Sequence, residues 1–319
     1  LGSTTVICSD KTGTLTRNEM AVTAIYLPSR KREIAVTGVG YVPEGHFAES
    51  EKKLTSNLDT TLQKLFVAGT LCNDAQLLGP DISDSNWRII GDPTEGALLT
   101  MVAKGGADPI AIRKRYHRKA EIPFSSDIKM MATQHDDERK SIVYVKGAPE
   151  ILLKYCGSYF DDGRIEALDG ETVAGVHVAF EKMTSSALTL QAVGFIENAY
   201  IDGSNGFSPF MGKVTLLGLI GQLDPPRTEV AESIKECKAA GVRAIMITGD
   251  HKATGIAIAR ALGISRHDDL NIDGQELDQM SDEELSEKIS RISVFARVHP
   301  AQKLRIVEAY QKRGEIVAM

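Results

Sequence analysis

The sequence predicts an α/β fold: a parallel sheet covered on both faces, assembled discontinuously from the two ends of the chain, with a second domain inserted between them. Three observations carry this. After Leu223, short continuous apolar runs alternate with amphipathic stretches, the pattern of buried parallel strands and their crossover helices. The apolar run Thr5-Val6-Ile7-Cys8 opens the chain with no helical partner nearby, so it is placed most economically in that C-terminal sheet. Finally, 319 residues exceed the size at which one core usually keeps growing, and residues 21–212 show a different, mixed pattern.

The elements follow in order. The segment Asp10-Lys11-Thr12-Gly13-Thr14-Leu15-Thr16 turns away from the first strand. Alternation around Val22–Ile25 and Ile34–Val36 reads as strands, and Leu58–Leu71 and Pro93–Lys104 carry a helical period. Ile142–Val145 is a strand; Lys146-Gly147-Ala148-Pro149-Glu150 then turns into a helix, with Pro149 suited to its first position. Asn198–Gly212, rich in Gly, Ser and Asn, reads as loop. Thr228–Ala240 is a helix with Val230, Ile234 and Cys237 on one face, stopped by Gly241. Ala244–Ile247 is an apolar strand, Ala253–Leu262 a helix closed by Gly263, and Ser281–Glu284 a capping box. Val294–Ala296 is a short strand, Pro300–Lys312 a helix closed by Gly314, and Glu315–Met319 begins a further strand. The expected domains are therefore 1–19 with 224–319, and 20–223. The hinge lies near 18–20 and 223–227, one arm of it stiffened by Pro225-Pro226.

Composition is that of an ordinary globular protein, 42% hydrophobic and 25% charged. A formal net charge of -6 argues against nucleic acid as a partner, because phosphate backbones demand clustered Lys and Arg. Cys8, Cys72, Cys156 and Cys237 form no CxxC pair, so reduced thiols with no disulfide partner are expected. No stretch approaches the roughly eighteen apolar residues of a membrane helix, and Val214–Gly221 is only strand length. The chain opens at Leu1-Gly2 and stops inside the apolar run Ile316–Met319, which reads as an excised, soluble fragment.

In an open parallel sheet, ligands sit beyond the carboxyl ends of the strands. Three such ends bear chemistry here. The first delivers Asp10, a carboxylate already ionised at neutral pH and able to attack a phosphoryl group without a neighbouring base, followed by Lys11 and Thr12. The second delivers Thr248, Gly249 and Asp250: donors for phosphoryl oxygens and a supporting carboxylate. The third delivers Arg297. Lys303 lies in the first turn of the Pro300 helix, where the dipole disfavours a cation unless an anion is bound there. Taken alone, it also reads as a solvated surface lysine.

Read in chain order, these strings resemble the cytoplasmic part of P-type cation-transporting ATPases, a branch of the haloacid-dehalogenase superfamily. The set is the Asp10–Thr16 heptad, Gly91–Ala97, Pro123-Phe124-Ser125 with Lys129, Lys146–Glu150, Asp224-Pro225-Pro226-Arg227, Met246–Asp250, and Phe295–Val298 with Lys303. The flavour is that of calcium and sodium-potassium pumps. The resemblance implies a haloacid-dehalogenase-like Rossmannoid sheet with an inserted α+β nucleotide-binding domain. It also implies ATP and Mg²⁺, phosphorylation of Asp10, and a parent protein whose transmembrane and actuator domains place this part on the cytoplasmic face of a membrane.

By the same resemblance, Phe124 would stack on adenine, Lys146 with Gly147 would line the nucleotide pocket, and Glu95 would hydrogen-bond the base. Phe124 also reads as a core residue, and Glu95 as a helix first-turn acid. Asp224 and Arg227 belong to the same functional set. Two departures stand out: Ser126 occupies a position where relatives often carry Arg, and the segment Ala187–Ala192 lacks its usual Arg. Those guanidinium contacts would be worth about 1–3 kcal/mol each; Lys129 is the candidate substitute. Thr12 stands where soluble phosphatases of the superfamily carry a general acid-base Asp, so a long-lived phosphoenzyme is expected over a phosphatase. Mg²⁺ would take the Asp10 carboxylate and the Thr12 carbonyl. A Gly-Asp-Gly-x-Asn-Asp loop, which supplies a further acidic ligand in the family, would begin where the chain stops, so slow or absent phosphorylation and a purely nucleotide-binding fragment also remain open.

Overall fold

The computed structural model describes residues 2–54, 59–81, 86–137, 140–186, 188–202, 206–250 and 252–319. The expectations at Leu1, Leu58, Ala187 and 203–205 lie outside the described residues. The protein is mixed α/β, with parallel and antiparallel sheets, and divides into two compact units. One comprises Leu1–Asn18, Ser185–Ala187 and Asp224–Met319; the other comprises Glu19–Thr184 and Leu188–Leu223.

The first unit holds a five-stranded sheet in the order Leu270–Asp273, Ile292–Ala296, Arg243–Ile247, Val6–Asp10, Val317–Ala318. Every neighbouring pair is parallel. The opening strand gains partners on both sides from the far end of the chain: Val6 lies opposite Arg243 and Val317. Val6, Cys8, Ile245, Ile247, Phe295 and Ile306 make its core. Helices Val230–Ala239, Lys252–Ala261 and Pro300–Lys312 end at Gly241, Gly263 and Gly314, with φ of 78°, 72° and 83°. The residue after each glycine donates back across the helix end: Val242 to Cys237, Ile264 to Ala259 and Glu315 to Tyr310. That bond satisfies a carbonyl the helix leaves open, and the left-handed turn it needs suits glycine. The Ser281 capping box forms reciprocally, Glu284 N to Ser281 Oγ at 3.2 Å and Ser281 N to Glu284 Oε2 at 3.0 Å.

Within this unit two elements escaped the sequence reading, the Leu270–Asp273 strand and the Gly274–Gln279 helix. More escaped it in the other unit, among them the strands Arg118–Ile122, Met130–Asp137, Cys156–Asp161 and Thr189–Glu197 and the helices Pro109–Arg115 and Gly170–Ser185. The Leu270–Asp273 strand is four residues long at the sheet edge, and only Ile272 in it is buried, so no apolar run marks it. The first strand also runs further than the apolar residues suggest: Asp10 still pairs with Ile247.

The second unit is built on a long sheet, antiparallel except where Cys156–Asp161 joins Val214–Leu223. Its path runs Lys52–Lys53, Phe47–Glu49, Arg32–Val36, Ala21–Leu27, Val214–Leu223, Thr189–Glu197, Lys140–Gly147, Met130–Asp137, Arg118–Ile122. Helices Thr60–Leu71 and Pro93–Lys104 pack Leu62, Leu65, Phe66, Leu98 and Met101 into one core with Ile25, Ile34 and Phe195. Helix Gly170–Ser185 packs Val176, Ala179 and Met183 into a second core with Val143, Val145 and Leu219. Two cores, one for each face, explain why Val214–Leu223 reads as continuous apolar sequence.

His135 is buried on the Met130–Asp137 strand, with Nδ1 3.1 Å from the Tyr116 carbonyl and no partner for Nε2 among the described residues. Burial pushes its pKa below the ordinary 6.5. The unfolded chain therefore binds this proton more readily, so stability is fully present above about pH 6.5 and declines as pH falls below it. The melting temperature should drop more between pH 7 and pH 5 in the native chain than in His135→Gln. Equal slopes in the two proteins would refute the assignment.

Candidate functional site

The register of the parallel sheet aligns three strand exits along one edge, since Asp10 pairs with Ile247 and Ile247 with Phe295. Asp10 is the last residue of its strand. Beyond it the backbone stays extended at Thr12 and turns left-handed at Gly13, with φ 74°. Thr16, fully buried, closes this turn: its amide lies 3.1 Å from the Lys11 carbonyl, and its hydroxyl donates to Asp224 Oδ2 at 2.5 Å. Arg227 binds the same turn three times, through its amide to Leu15 O (3.0 Å), Nε to Thr16 O (3.1 Å) and Nη2 to Gly13 O (3.1 Å). The Asp-Pro-Pro-Arg segment thus acts as a brace for the loop that follows Asp10.

Lys11 turns inward. It is 6% exposed, forms an ion pair with Asp250, and lies 3.9 Å from Asp224. Lys303, near the start of the Pro300–Lys312 helix, donates to Asp10 Oδ2 at 2.6 Å. The Asp10 carboxylate is the anion whose absence would leave that lysine unfavourably placed. At the second exit, Thr248 is 1% exposed and accepts from the Asp250 amide at 3.1 Å, whereas Gly249 is exposed with open space on its Cβ side. At the third, Arg297 is exposed and held at φ 49°, its amide donating to Asp250 O at 3.0 Å. A non-glycine residue in that region costs about 1 kcal/mol or more, and the bond that ties the two exits together offsets it.

Among the described residues, no group of three His, Cys, Asp or Glu is arranged to hold a metal ion. Asp224 and Asp250 are committed to Thr16 and Lys11. The Asp10 carboxylate and the Thr12 carbonyl are hard oxygen donors of the kind Mg²⁺ accepts, and that ion usually keeps several waters and phosphate oxygens.

In the second unit, Lys146 is 4% exposed and donates to Glu95 Oε1 at 2.6 Å. Glu95 sits in the first turn of the Pro93–Lys104 helix, capped by Asp92. Its other oxygen, Oε2, accepts from the amides of Asp74 (2.8 Å) and Ala75 (3.1 Å). The carboxylate is thus occupied by protein partners and orients Lys146. Gly147 follows at the strand end, where a Cβ would lie 2.5 Å from Lys129 O and from Met130 Cγ; the close approach requires glycine. Lys129, exposed with φ 55°, receives the Ala148 amide on its carbonyl at 2.9 Å. Phe124 is 59% exposed, which removes its reading as a core residue and leaves the ring face free for a planar partner. Near the segment that lacks its Arg, Gln191 reaches Thr94 Oγ1 at 3.3 Å, and Gln222 reaches Thr94 O at 3.1 Å.

A cavity of about 610 Å³ lined by Leu77, Trp87, Leu99, Ala103 and Ile110 includes none of the residues singled out from sequence. The sequence reading also missed the Asn73–Ala75 turn that holds Glu95, together with Arg113 and Arg118 behind it. Arg113 stands in the basic run Arg113-Lys114-Arg115, which carries no mark distinguishing a buried donor from a solvated face.

The brace on the Asp10 loop can be checked directly. Thr16→Val removes a buried hydroxyl and leaves Asp224 short of a donor, so the chain should lose about 1–3 kcal/mol in denaturant unfolding. A variant as stable as the parent would show that the Thr16–Asp224 bond does not hold the turn.

Comparison with known proteins places these features in a family. The model for the P-type ATPase cytoplasmic domain N matches residues 61–229, more than half of the chain. The chain is 40% identical over 324 residues to a calcium-transporting ATPase of Bacillus subtilis (strain 168), covering 100% of this chain and 35% of that protein. It is 39% identical over 319 residues to a calcium-transporting ATPase of Listeria monocytogenes, and 38% over 325 residues to calcium-transporting ATPase type 2C member 1 of Bos taurus. It spans about a third of the length of these relatives, at 35%, 34% and 32%. Among the described residues no helix is long and apolar enough to cross a membrane. With the family match on one unit and pump sequences aligned along the whole chain, this protein belongs to the P-type ATPases.

Proposed function

We propose that this chain is the ATP-hydrolysing cytoplasmic portion of a cation pump. Residues 1–19 and 224–319 form a phosphorylation domain of haloacid-dehalogenase-like, Rossmannoid topology, and residues 20–223 form an inserted nucleotide-binding domain. The hinge near 18–20 and 223–227 lets the second deliver the γ-phosphate of ATP to the first, by domain closure. The observation that carries this reading is the Asp10–Lys303 ion pair at the carboxyl edge of a parallel sheet, 2.6 Å long: a nucleophile and a cation for phosphoryl charge, side by side.

Asp10 attacks the γ-phosphorus in line, forming a bond to one carboxylate oxygen as the bond to the leaving ADP oxygen breaks. Lys303 and the Thr248–Gly249 edge hold the charge that spreads over the equatorial oxygens. Lys11, sequestered by Asp250 and Asp224, fixes the loop and does not touch the phosphoryl group. In the other domain Phe124 stacks on the base, while Lys146, aimed by Glu95, and Lys129 supply positive charge toward the nucleotide. Mg²⁺, when bound through Asp10 and Thr12, would neutralise phosphate charge. The relatives' names support calcium as the transported ion, moved through transmembrane helices with help from an actuator domain of the whole pump. Thr12 disfavours a phosphatase, because it cannot act as the acid-base that speeds breakdown of the phosphoenzyme.

The test is labelling with γ-phosphate-labelled ATP and Mg²⁺, followed by acid quench and hydroxylamine. Acid-stable, hydroxylamine-labile label that Asp10→Asn abolishes is the expected result. ATP binding that is weakened by Lys146→Ala but accompanied by no label would reduce the chain to a nucleotide-binding module and overturn the phosphoryl-transfer half of the proposal.

A further inference from the structure

Arg113 lies half-buried on the Pro109–Arg115 helix and makes no carboxylate pair among the described residues. Its guanidinium is spent on three backbone carbonyls: Thr70 O from Nε (3.3 Å), Ala75 O from Nη1 (2.8 Å) and Asn73 O from Nη2 (2.9 Å). The first of these lies in the last turn of the Thr60–Leu71 helix, where carbonyls lack helical partners and the dipole favours a cation. Arg118 reinforces the arrangement, with Nη2 3.2 Å from Leu71 O and 2.9 Å from Asn73 O. Helix capping alone would need only the first carbonyl. The other two belong to the turn that follows, and the amides of that same turn point the opposite way, at Glu95 Oε2. Asn73 locks the turn further, its Nδ2 donating to Glu95 O at 2.9 Å and its Oδ1 accepting from the Ala75 amide at 2.9 Å.

We infer that Arg113 is a positioning residue for nucleotide binding: it clamps the Asn73–Ala75 turn, the turn clamps the Glu95 carboxylate, and Glu95 aims the Lys146 ammonium. This deepens the function proposed above and rests on it. The fork geometry is essential, because a lysine at this position offers one point of donation where three carbonyls must be held in fixed relation.

ATP affinity of the intact chain, measured by calorimetric titration alongside the melting temperature, tests this. Arg113→Lys should weaken ATP binding about tenfold, whereas Lys114→Met, one residue on and exposed, should leave it unchanged. In a Glu95→Ala background the Arg113→Lys effect should largely vanish, because the turn no longer has a carboxylate to hold. If Arg113→Lys is too unstable to assay, Ala75→Pro, which removes the amide that donates to both Glu95 Oε2 and Asn73 Oδ1 and so loosens the turn while leaving Arg113 in place, carries the same expectation. A lowered melting temperature with unchanged ATP affinity, or effects that add independently across the cycle, would make Arg113 a helix cap only and overturn the inference. A parent chain that binds no ATP would instead overturn the nucleotide-binding function itself, and this inference with it.

Discussion

The buried ammonium of Lys11 is the constraint from which the arrangement around Asp10 follows. A charge taken out of water must be matched by opposite charge and hydrogen bonds, or the fold loses several kcal/mol. Here the match comes from Asp250 and Asp224, which reach it from two other segments of the chain. Because Asp224 also takes the Thr16 hydroxyl, one compensation requirement draws the Asp10 loop, the Asp224–Arg227 segment and the Thr248–Asp250 turn to the same place. Asp10 is left as the carboxylate at that edge that faces Lys303 instead.

The second unit uses the same logic. Lys146 is also nearly inaccessible, and its counter-charge, Glu95, comes from the start of a helix far away in sequence. Glu95 is itself held by two amides of the Asn73–Ala75 turn, and that turn by two guanidinium groups. Each buried lysine thus has its direction set by a carboxylate whose own freedom has been removed. For Lys146, pre-ordering of this kind lowers the entropy cost of engaging an anion, since less side-chain motion remains to be lost on binding; for Lys11 it fixes the loop that carries Asp10.

Backbone requirements appear where segments must come close. Gly147 admits the Lys129 carbonyl at a distance no side chain would allow, and Gly13 supplies the left-handed turn that folds the Asp10 loop back toward Thr16. Arg297 meets a similar demand without being glycine, and its amide bond to Asp250 O is what compensates.

Local pattern determined most of the regular structure. Apolar runs marked the strands at Ala244–Ile247 and Val294–Ala296, glycines marked three helix ends, and Ser281 with Glu284 marked a capping box, since each depends on neighbours within a few residues. The short Leu270–Asp273 strand left no such mark, because an edge strand with one buried side chain gains its identity from its partner. Asp10 and Lys303 stood out by residue type and by position relative to strand and helix ends, whereas Lys146 and Glu95 stood out only through the family resemblance of the strings that hold them. Only the tertiary structure decided that Lys11 faces inward, that Phe124 faces solvent, that the Glu95 carboxylate is already engaged, and that half-buried Arg113 spends its guanidinium on three carbonyls while its neighbours in the basic run stay exposed. Those outcomes depend on which distant carbonyls and carboxylates the fold brings within hydrogen-bond reach, and no local pattern encodes that.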